Sequence, residues 1–240
     1  MAAACGVYAQ VAPAATPQGA ITVREFRPTG GDIASLTNLT SFPNSPDVLD
    51  YSPRFEWPTT ADGSPPPGDS GKNNYGVQII GYFYPPTTGN YIFAIASDDA
   101  GRLFLSTDSN PANKRLIAQE ASWNGVRQFD NPEGVDRRRT FNTTTGRAEN
   151  VSTNIALVAN TPYFIEALMA EGSGGDSLAV TYTTDGSFPI DGAEPIPGSQ
   201  LRTFDKADGP LTATTVPQSQ TVAAGSSVTF TVTEYAPLSA

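Results

Sequence analysis

YGVQIIGYFYPPTTGNYIFAIASDDAGRLFLS, residues Tyr75 to Ser106, contains the strongest strand pattern in the sequence. Three runs rich in aromatic and aliphatic residues are separated by the turn-forming segments PPTTGN and DDAG. Apolar runs of this length between Pro, Gly, Asn and Asp favour short β-strands. Because the connections are short, the pattern predicts an antiparallel meander of three strands.

Strand patterns also flank this stretch on both sides. Upstream, ITVREF at Ile21 to Phe26 alternates between apolar and polar residues, as a half-buried strand does. Downstream, the sequence pattern predicts three more strands, at Asn154 to Val158, Tyr163 to Ala170 and Leu178 to Thr183. A final short run follows at Leu201 to Phe204. IEALMA could pass for a helix, but Pro162 and the glycines that follow confine it to one short stretch between β patterns, so we expect a strand.

Composition supports an all-β, turn-rich protein. The chain has 240 residues with 22 Gly and 21 Pro, and only 16% of its residues are charged. Residues 28–71 are rich in Pro, Asp, Ser and Gly and give weak strand signals, so we expect long irregular loops there. Phe42, Phe55 and Trp57 are the expected anchors of these loops to the core.

Charge and histidine content exclude several function classes. The net charge is −10, which argues against nucleic acid or an anionic membrane as a partner. No apolar run reaches the 18 or so residues of a membrane span, so we expect no membrane insertion. The chain has no histidine, which removes imidazole catalysis and the commonest zinc ligand. Carboxylate chemistry remains, either calcium or magnesium binding or a carboxylate-pair hydrolase.

Two candidate binding features lie in polar turns. Asp98 and Asp99 directly follow the apolar run YIFAIA. Either they form an ordinary polar turn, or the backbone bends there and aims both carboxylates at a cation. Trp123 lies in the polar segment EASWNG, where its ring either stacks on a sugar or plugs the edge of a core.

YFYPPTTGNYIFAIASDDAGRLFLS followed by LVANTPYFIEALMAEGSGGDSLAVTY resembles the PA-fourteen domain, which is named from anthrax protective antigen. Yeast flocculins, epithelial adhesins and many bacterial surface proteins and glycosidases share this domain. The likeness extends over roughly Ile21 to Phe204. The resemblance implies an antiparallel β-sandwich with long irregular loops. For lectin members, it also implies a calcium ion bound by two aspartates that a cis peptide joins. This ion in turn coordinates sugar hydroxyls.

Carried over residue by residue, the resemblance makes Asp98 and Asp99 metal ligands and contacts for the sugar. In the lectin members, an Asn side chain and main-chain carbonyls of a later loop complete the metal site. The corresponding loop here is EGSGGD, in which the adhesins carry an aromatic residue where this chain has glycine. Expected metal ligands from this loop are Glu171, Ser173, Gly175 and Asp176, and expected ligand contacts are Gly174, Asp176 and, from its own segment, Trp123.

Three functions are consistent with these observations. The leading one is an extracellular, calcium-dependent carbohydrate-binding module of a larger secreted or surface protein, adhesin-like and not an enzyme, with glycans or a surface protein as partner. The second is a structural subunit of a surface layer, stalk or fibre that self-assembles through the C-terminal tail. The third is a glycosidase or its accessory module, with Glu166 or Glu171 paired to an aspartate.

The domain organisation predicted from the sequence has three parts. Residues 1–19 form a leader, either disordered or the remnant of a signal peptide. Residues 20–206 form the β-sandwich. Residues 207–240 form a linker and, at VTFTVT, a strand that resembles the start of a bacterial immunoglobulin-like domain or serves as an assembly tail.

Overall fold

A computed structural model of the chain describes residues 18–130, 141–142 and 147–204. Most of the predicted leader and the whole of the predicted 207–240 segment lie outside these residues, so the immunoglobulin-like strand and the assembly tail stay predictions. All described residues belong to one unit, Ala12–Asp205. Among them, no helix has the length and apolar character needed to cross a membrane.

The described residues are mainly strands. In chain order these are β1 (Ile21–Phe26), β2 (Val48–Ser52), β3 (Glu56–Trp57), β4 (Tyr75–Phe83), β5 (Gly89–Asp98), β6 (Ala100–Ser106), β7 (Lys114–Glu120), β8 (Phe141–Asn142), β9 (Arg147–Ala148), β10 (Ile155–Leu157), β11 (Tyr163–Glu171), β12 (Ser177–Thr183) and β13 (Leu201–Thr203). The helical elements are the short helix α1 (Ile33–Thr37) and two 3₁₀ turns, Pro111–Asn113 and Gly198–Gln200.

Two antiparallel sheets build the domain, which confirms the predicted all-β sandwich. The larger has seven strands in the order β2-β1-β4-β11-β6-β7, with β13 also paired to β4. There β1 pairs with residues 76–80 of β4 and β13 pairs with residues 81–83, so both follow the same edge of β4. The smaller sheet has four strands in the order β10-β5-β12-β3, and β8 and β9 pair separately.

The core lies between the two sheets and is rich in aromatic rings. Phe83 of β4 meets Tyr91 and Phe93 of β5 edge to face, with ring centroids 5.9 and 5.6 Å apart. All three side chains are completely buried. Because burial of one such side chain stabilises a fold by roughly 1.5–3 kcal/mol, these contacts hold the sheets face to face.

The predicted meander is wrong, although its three strands are confirmed as β4, β5 and β6. β4 and β5 belong to different sheets, and β11 separates β4 from β6. The aromatic side chains of β4 and β5 pack on each other across the core instead of lying side by side in one sheet. The chain therefore crosses between the sheets at PPTTGN, and it crosses back at the aspartate pair.

Residues 28–71 hold more regular structure than the sequence predicts. They contain α1, β2 and β3, and the N-cap Asp32 of α1 accepts a hydrogen bond of 2.9 Å from Ser35 N. The expected anchors Phe55 and Trp57 are buried. Phe42 is half-buried and packs on Phe26, with ring centroids 5.1 Å apart.

A buried ion pair fixes the segment that follows β7. Arg127 donates two hydrogen bonds to Glu56, of 2.7 Å from Nε and 2.8 Å from Nη2, and both side chains are only 1% exposed. Arg127 also contacts Glu194 at 3.0 Å and the carbonyl of Gly63 at 3.0 Å. The segment that carries Trp123 is thereby tied to β3.

Candidate functional site

The aspartate pair lies where the chain passes from one sheet to the other. Asp98 is the last residue of β5 in the smaller sheet, and β6 of the larger sheet begins at Ala100, directly after Asp99. The peptide bond between Asp98 and Asp99 is cis, and both side chains are half-buried. Asp98 faces Ser177 of β12 on one side and forms a backbone bridge to Trp123 on the other.

Glu171 brings a third carboxylate to this corner. It is the last residue of β11 and is completely buried. Its Oε2 accepts a 3.1 Å hydrogen bond from Asp99 N, while its Oε1 is buried and has no hydrogen-bond partner among the described residues. One oxygen from each of Asp98, Asp99 and Glu171 lies within 4.8 Å of the other two. We call these three residues the carboxylate triad.

The triad carries uncompensated negative charge. Burial, followed by the charges of Asp99 and Asp176, raises the pKa of Asp98 from 3.8 to about 7. Burial, followed by the charges of Asp99 and Asp98, raises the pKa of Glu171 from 4.5 to about 8, although the hydrogen bond from Asp99 N opposes the rise. Among the described residues, no Lys or Arg forms an ion pair with these carboxylates. A nearby cation would favour the charged forms of these carboxylates and oppose both rises in pKa.

The spacing of the triad suits calcium. Oxygens that ligate one calcium ion at about 2.4 Å lie at most about 4.8 Å apart, which the triad satisfies. Calcium takes six to eight oxygens, with carboxylates and backbone carbonyls among its usual ligands. The buried Oε1 of Glu171 is the sharpest sign of a fit, because buried polar atoms are rarely left without a partner.

Glycines let the loops close tightly around the aspartates. A Cβ on Gly31 would lie 2.5 Å from Asp99 Oδ2, and a Cβ on Gly175 would collide with Asp98 Oδ2. Gly172 donates its N–H to Asp99 Oδ2 at 3.0 Å. Larger residues at positions 31 and 175 would push the loops away from the carboxylates, so glycine is required by close approach there.

Asp176, a predicted ligand, lies next to the triad but not in it. It is completely buried, and both of its oxygens already accept hydrogen bonds. Oδ1 accepts from Ser70 N at 2.6 Å, and Oδ2 accepts from Tyr75 Oη at 2.6 Å and from the Ser70 hydroxyl. Burial and the hydrogen bond to Asp176 raise the pKa of Tyr75, so its hydroxyl stays a donor.

The other predicted residues lie around the opening of the site. Ser173 and Gly174 are exposed at the tip of the loop, and Gly174 has a positive φ of 108°. Gly174 N donates to Asn73 Oδ1 at 3.1 Å. Trp123 is half-buried, and its backbone forms a bridge to that of Asp98. The assignment of all these residues as ligands stays a prediction.

Glu166 does not share a site with Glu171. The two residues lie five positions apart on β11, so their side chains project from opposite faces of the sheet. Glu166 accepts hydrogen bonds from Gln78 and Lys114. Of the two glutamates considered as partners of an aspartate, Glu171 lies beside Asp98 and Asp99, and among the described residues Glu166 does not belong to this cluster.

Sequence reasoning missed the part of the site that lies in residues 68–75. Ser70 and Tyr75 bind Asp176, and Asn73 binds Gly174, from more than 100 residues away in the chain. The only signal in the sequence is that GDSGKNN, like EGSGGD, combines glycine with short polar residues. Such a pattern predicts a turn and does not indicate which other turn it contacts.

Comparison with known proteins identifies the family by sequence. The PA14 domain family matches residues 33–187, a range that contains the carboxylate triad and Asp176. Fibrocystin of Canis lupus familiaris is 28% identical over 127 residues, which are 50% of this chain and 3% of fibrocystin. This chain therefore corresponds to a small part of that relative.

Solved structures that match this chain include two adhesin domains. The epithelial adhesin 6 A domain from Candida glabrata, solved in complex with Galb1-3GlcNAc, is 14% identical, with a TM-score of 0.47 and coverage of 80% of this chain and 90% of that one. The PA14 sugar-binding domain from an RTX adhesin is also 14% identical, with a TM-score of 0.47 and coverage of 77% of this chain and 97% of that one.

Proposed function

Because this chain belongs to the PA14 domain family, we propose that it is a carbohydrate-binding module that holds calcium at Asp98, Asp99 and Glu171. The ion presents open coordination positions to sugar hydroxyls. In this proposal the module is adhesin-like, works outside the cell or on its surface, and binds its ligand without catalysing a reaction.

One observation carries the proposal. Oε1 of Glu171 is buried without a hydrogen-bond partner among the described residues, and an oxygen of the same carboxylate lies within 4.8 Å of oxygens from two half-buried aspartates. An acidic cluster alone would have little meaning, since exposed carboxylates are common. A completely buried carboxylate oxygen without a donor is different, because leaving it unpaired costs about 1–3 kcal/mol or more.

The surroundings of the triad support an open site rather than an enclosed one. Ser173 and Gly174 at the loop tip are exposed, as is Gly31 on the other side. None of these residues carries a large side chain that could fill the opening. Calcium would supply charge and loose coordination here, and the triad would supply three of its oxygens.

Charge indicates the class of sugar. Three carboxylates bring three negative charges, and a calcium ion adds two positive charges. The calcium-bound site therefore keeps an excess of negative charge. Asp176 adds to this excess, as its effect on the pKa of Asp98 indicates. Neutral hydroxyl-bearing sugars are therefore favoured over sugars that carry carboxylates or sulfates.

Metal binding is tested first with terbium, which takes calcium sites and emits when a nearby tryptophan is excited. Trp123, whose backbone bridges to Asp98, is the expected sensitiser. We expect saturable emission that calcium displaces. Absence of emission, together with an unchanged melting temperature in calcium and in EDTA, would overturn the metal half of the proposal.

Sugar binding is tested on a glycan array probed in calcium and again in EDTA. We expect signals on neutral glycans that EDTA removes. A protein that binds calcium and yet leaves the array blank would refute the carbohydrate half alone. Signals on acidic glycans only would contradict the charge argument.

A further inference from the structure

We propose that Asp176 is a positioning residue: anchored by Ser70 and Tyr75, it fixes the loop Glu171–Asp176 over the aspartate pair without ligating the ion. This inference rests on the proposed function, since it concerns how the metal site is assembled.

The first support is the hydrogen bonding of the Asp176 carboxylate. It accepts from Ser70 N and Tyr75 Oη, each at 2.6 Å, and from the Ser70 hydroxyl. The residue is completely buried. Among the described residues, the carboxylate oxygens close enough to share one ion come from Asp98, Asp99 and Glu171 and not from Asp176, whose charge-assisted hydrogen bonds instead hold the loop.

The second support is a set of contacts along the same two segments. Asn74 N donates to the carbonyl of Gly172 at 3.0 Å, and Asp176 N donates to the carbonyl of Gly68 at 2.9 Å. Between them, Gly174 N donates to Asn73 Oδ1 at 3.1 Å. Residues 68–75, which we call the buttress, therefore bind the loop from behind along most of its length.

The third support is that the opposite side of the loop contacts the triad. Glu171 Oε2 accepts from Asp99 N at 3.1 Å, and Gly172 N donates to Asp99 Oδ2 at 3.0 Å. Gly175 packs directly against Asp98. The loop is thus held between the buttress and the aspartates, so a shift of the buttress would move the Glu171 carboxylate relative to Asp98 and Asp99.

These contacts give Asp176 the role of an outer-shell residue. Groups that orient metal ligands through hydrogen bonds typically change metal affinity by 10- to 100-fold when they are replaced. Loss of the buttress contacts should therefore weaken calcium binding even though every carboxylate remains in the protein.

The experiment compares calcium affinity in the double variant Ser70→Ala/Tyr75→Phe with that of the wild type. Ser70 is exposed and Tyr75→Phe keeps the ring, so the change removes two hydroxyl donors and no charge. Calcium is titrated calorimetrically at 20 °C, where circular dichroism verifies the fold. We expect the Kd to rise about tenfold or more, and Ser70→Thr, which keeps the hydroxyl, to stay near the wild type.

Ser64→Ala is the matched control. Ser64 is another exposed serine, and its N–H and hydroxyl bind the exposed carboxylate of Asp62 at 3.0 and 2.8 Å. Ser64 lies outside the buttress, so loss of its hydroxyl should leave calcium affinity unchanged. If the double variant fails to fold, Ser70→Ala alone gives the same comparison with a smaller expected rise in Kd.

The outcomes separate this inference from the proposed function. A wild type without any calcium response overturns both. A wild type that binds calcium, together with a folded double variant of equal Kd, overturns the positioning role alone. A lower Kd in the double variant also overturns it, because that is the result expected if Asp176 becomes free to ligate the ion.

Discussion

The backbone N–H of Asp99 donates a 3.1 Å hydrogen bond to Oε2 of Glu171, while the other oxygen of that carboxylate is buried and unpaired. One bond therefore orients Glu171 next to the aspartates, and its second oxygen has no hydrogen-bond donor among the described residues. A bound cation, as proposed above, would supply that partner.

Glu171→Gln should weaken the response to calcium. The amide keeps the shape of the side chain but removes a negative charge from the triad, so we expect a calcium Kd at least about tenfold higher. The melting temperature in EDTA at pH 7 should stay close to that of the wild type, because the raised pKa of about 8 keeps most of Glu171 protonated and uncharged there. Differential scanning fluorimetry in calcium and in EDTA measures both effects.

Glu166→Gln is the control for this change, since Glu166 lies on the same strand but projects from the other face. It should lower the melting temperature in both buffers and keep the calcium-induced shift. A calcium-induced shift of wild-type size in Glu171→Gln would contradict the assignment of Glu171.

The calcium-free protein should lose stability as the pH rises from about 4 to about 8. The pKa of Asp98 rises from 3.8 to about 7 on folding, and that of Glu171 rises from 4.5 to about 8. Between the unfolded and folded values the native state binds more protons, so the free energy of unfolding falls with pH. Well below the unfolded-state pKa values of 3.8 and 4.5, both carboxyl groups are protonated in the folded and the unfolded protein, so this loss of stability is absent there.

Urea unfolding in EDTA at pH 5, 6, 7 and 8 measures this dependence. Saturating calcium should remove most of the decline, because the ion neutralises the carboxylates that repel one another. A free energy of unfolding that is constant or increases over this range in EDTA would contradict the raised pKa values.

Gly175→Ala should weaken calcium binding, since its Cβ would meet Asp98 Oδ2 and the loop would have to move. We expect the Kd to rise by about tenfold, by analogy with other changes beside metal ligands. Gly89→Ala is the control, because a Cβ there meets no atom within 4 Å. Equal calcium affinity in the two variants, measured by calorimetry, would show that the close approach at Gly175 has no role.

Arg127→Met should destabilise the domain by about 3–5 kcal/mol, because it leaves the buried Glu56 carboxylate without its partner. Arg115→Gln, at an exposed position, should change the free energy of unfolding by less than about 0.5 kcal/mol. Urea unfolding at pH 7 compares the two. A loss of less than about 1 kcal/mol in Arg127→Met would contradict a structural role for the pair.

The sequence predicts where strands lie better than how they pair. Runs such as YGVQIIGYF and YIFAIAS are long, apolar and bounded by turn residues, so β4 and β5 were predictable. All nine residues of β4 are buried, and an unbroken apolar run has no alternation to show which strand lies beside it. The crossing between sheets depends on packing of Phe83 against Tyr91 and Phe93, which only the folded chain reveals.

The same limit applies to the candidate site. Asp98 and Asp99 are adjacent in the chain, so their proximity required no long-range information. Glu171 was placed near them through the family resemblance, whereas the partners of Asp176 were not predictable. Ser70 lies 106 residues from Asp176 and is one of many serines in a turn-rich chain. Local propensity favours a turn there and cannot specify a distant hydrogen-bond acceptor.

The passage of the chain from β5 into β6 has a mechanical consequence. Asp98 ends a strand of the smaller sheet, and Asp99 leads directly into a strand of the larger one, which Glu171 of β11 also joins. If the proposed ion and its ligand bind here, a tensile force on the ligand would therefore be divided between both sheets. No single strand would bear the whole load, and the hydrogen bonds of β5, β6 and β11 with their neighbours would resist it together.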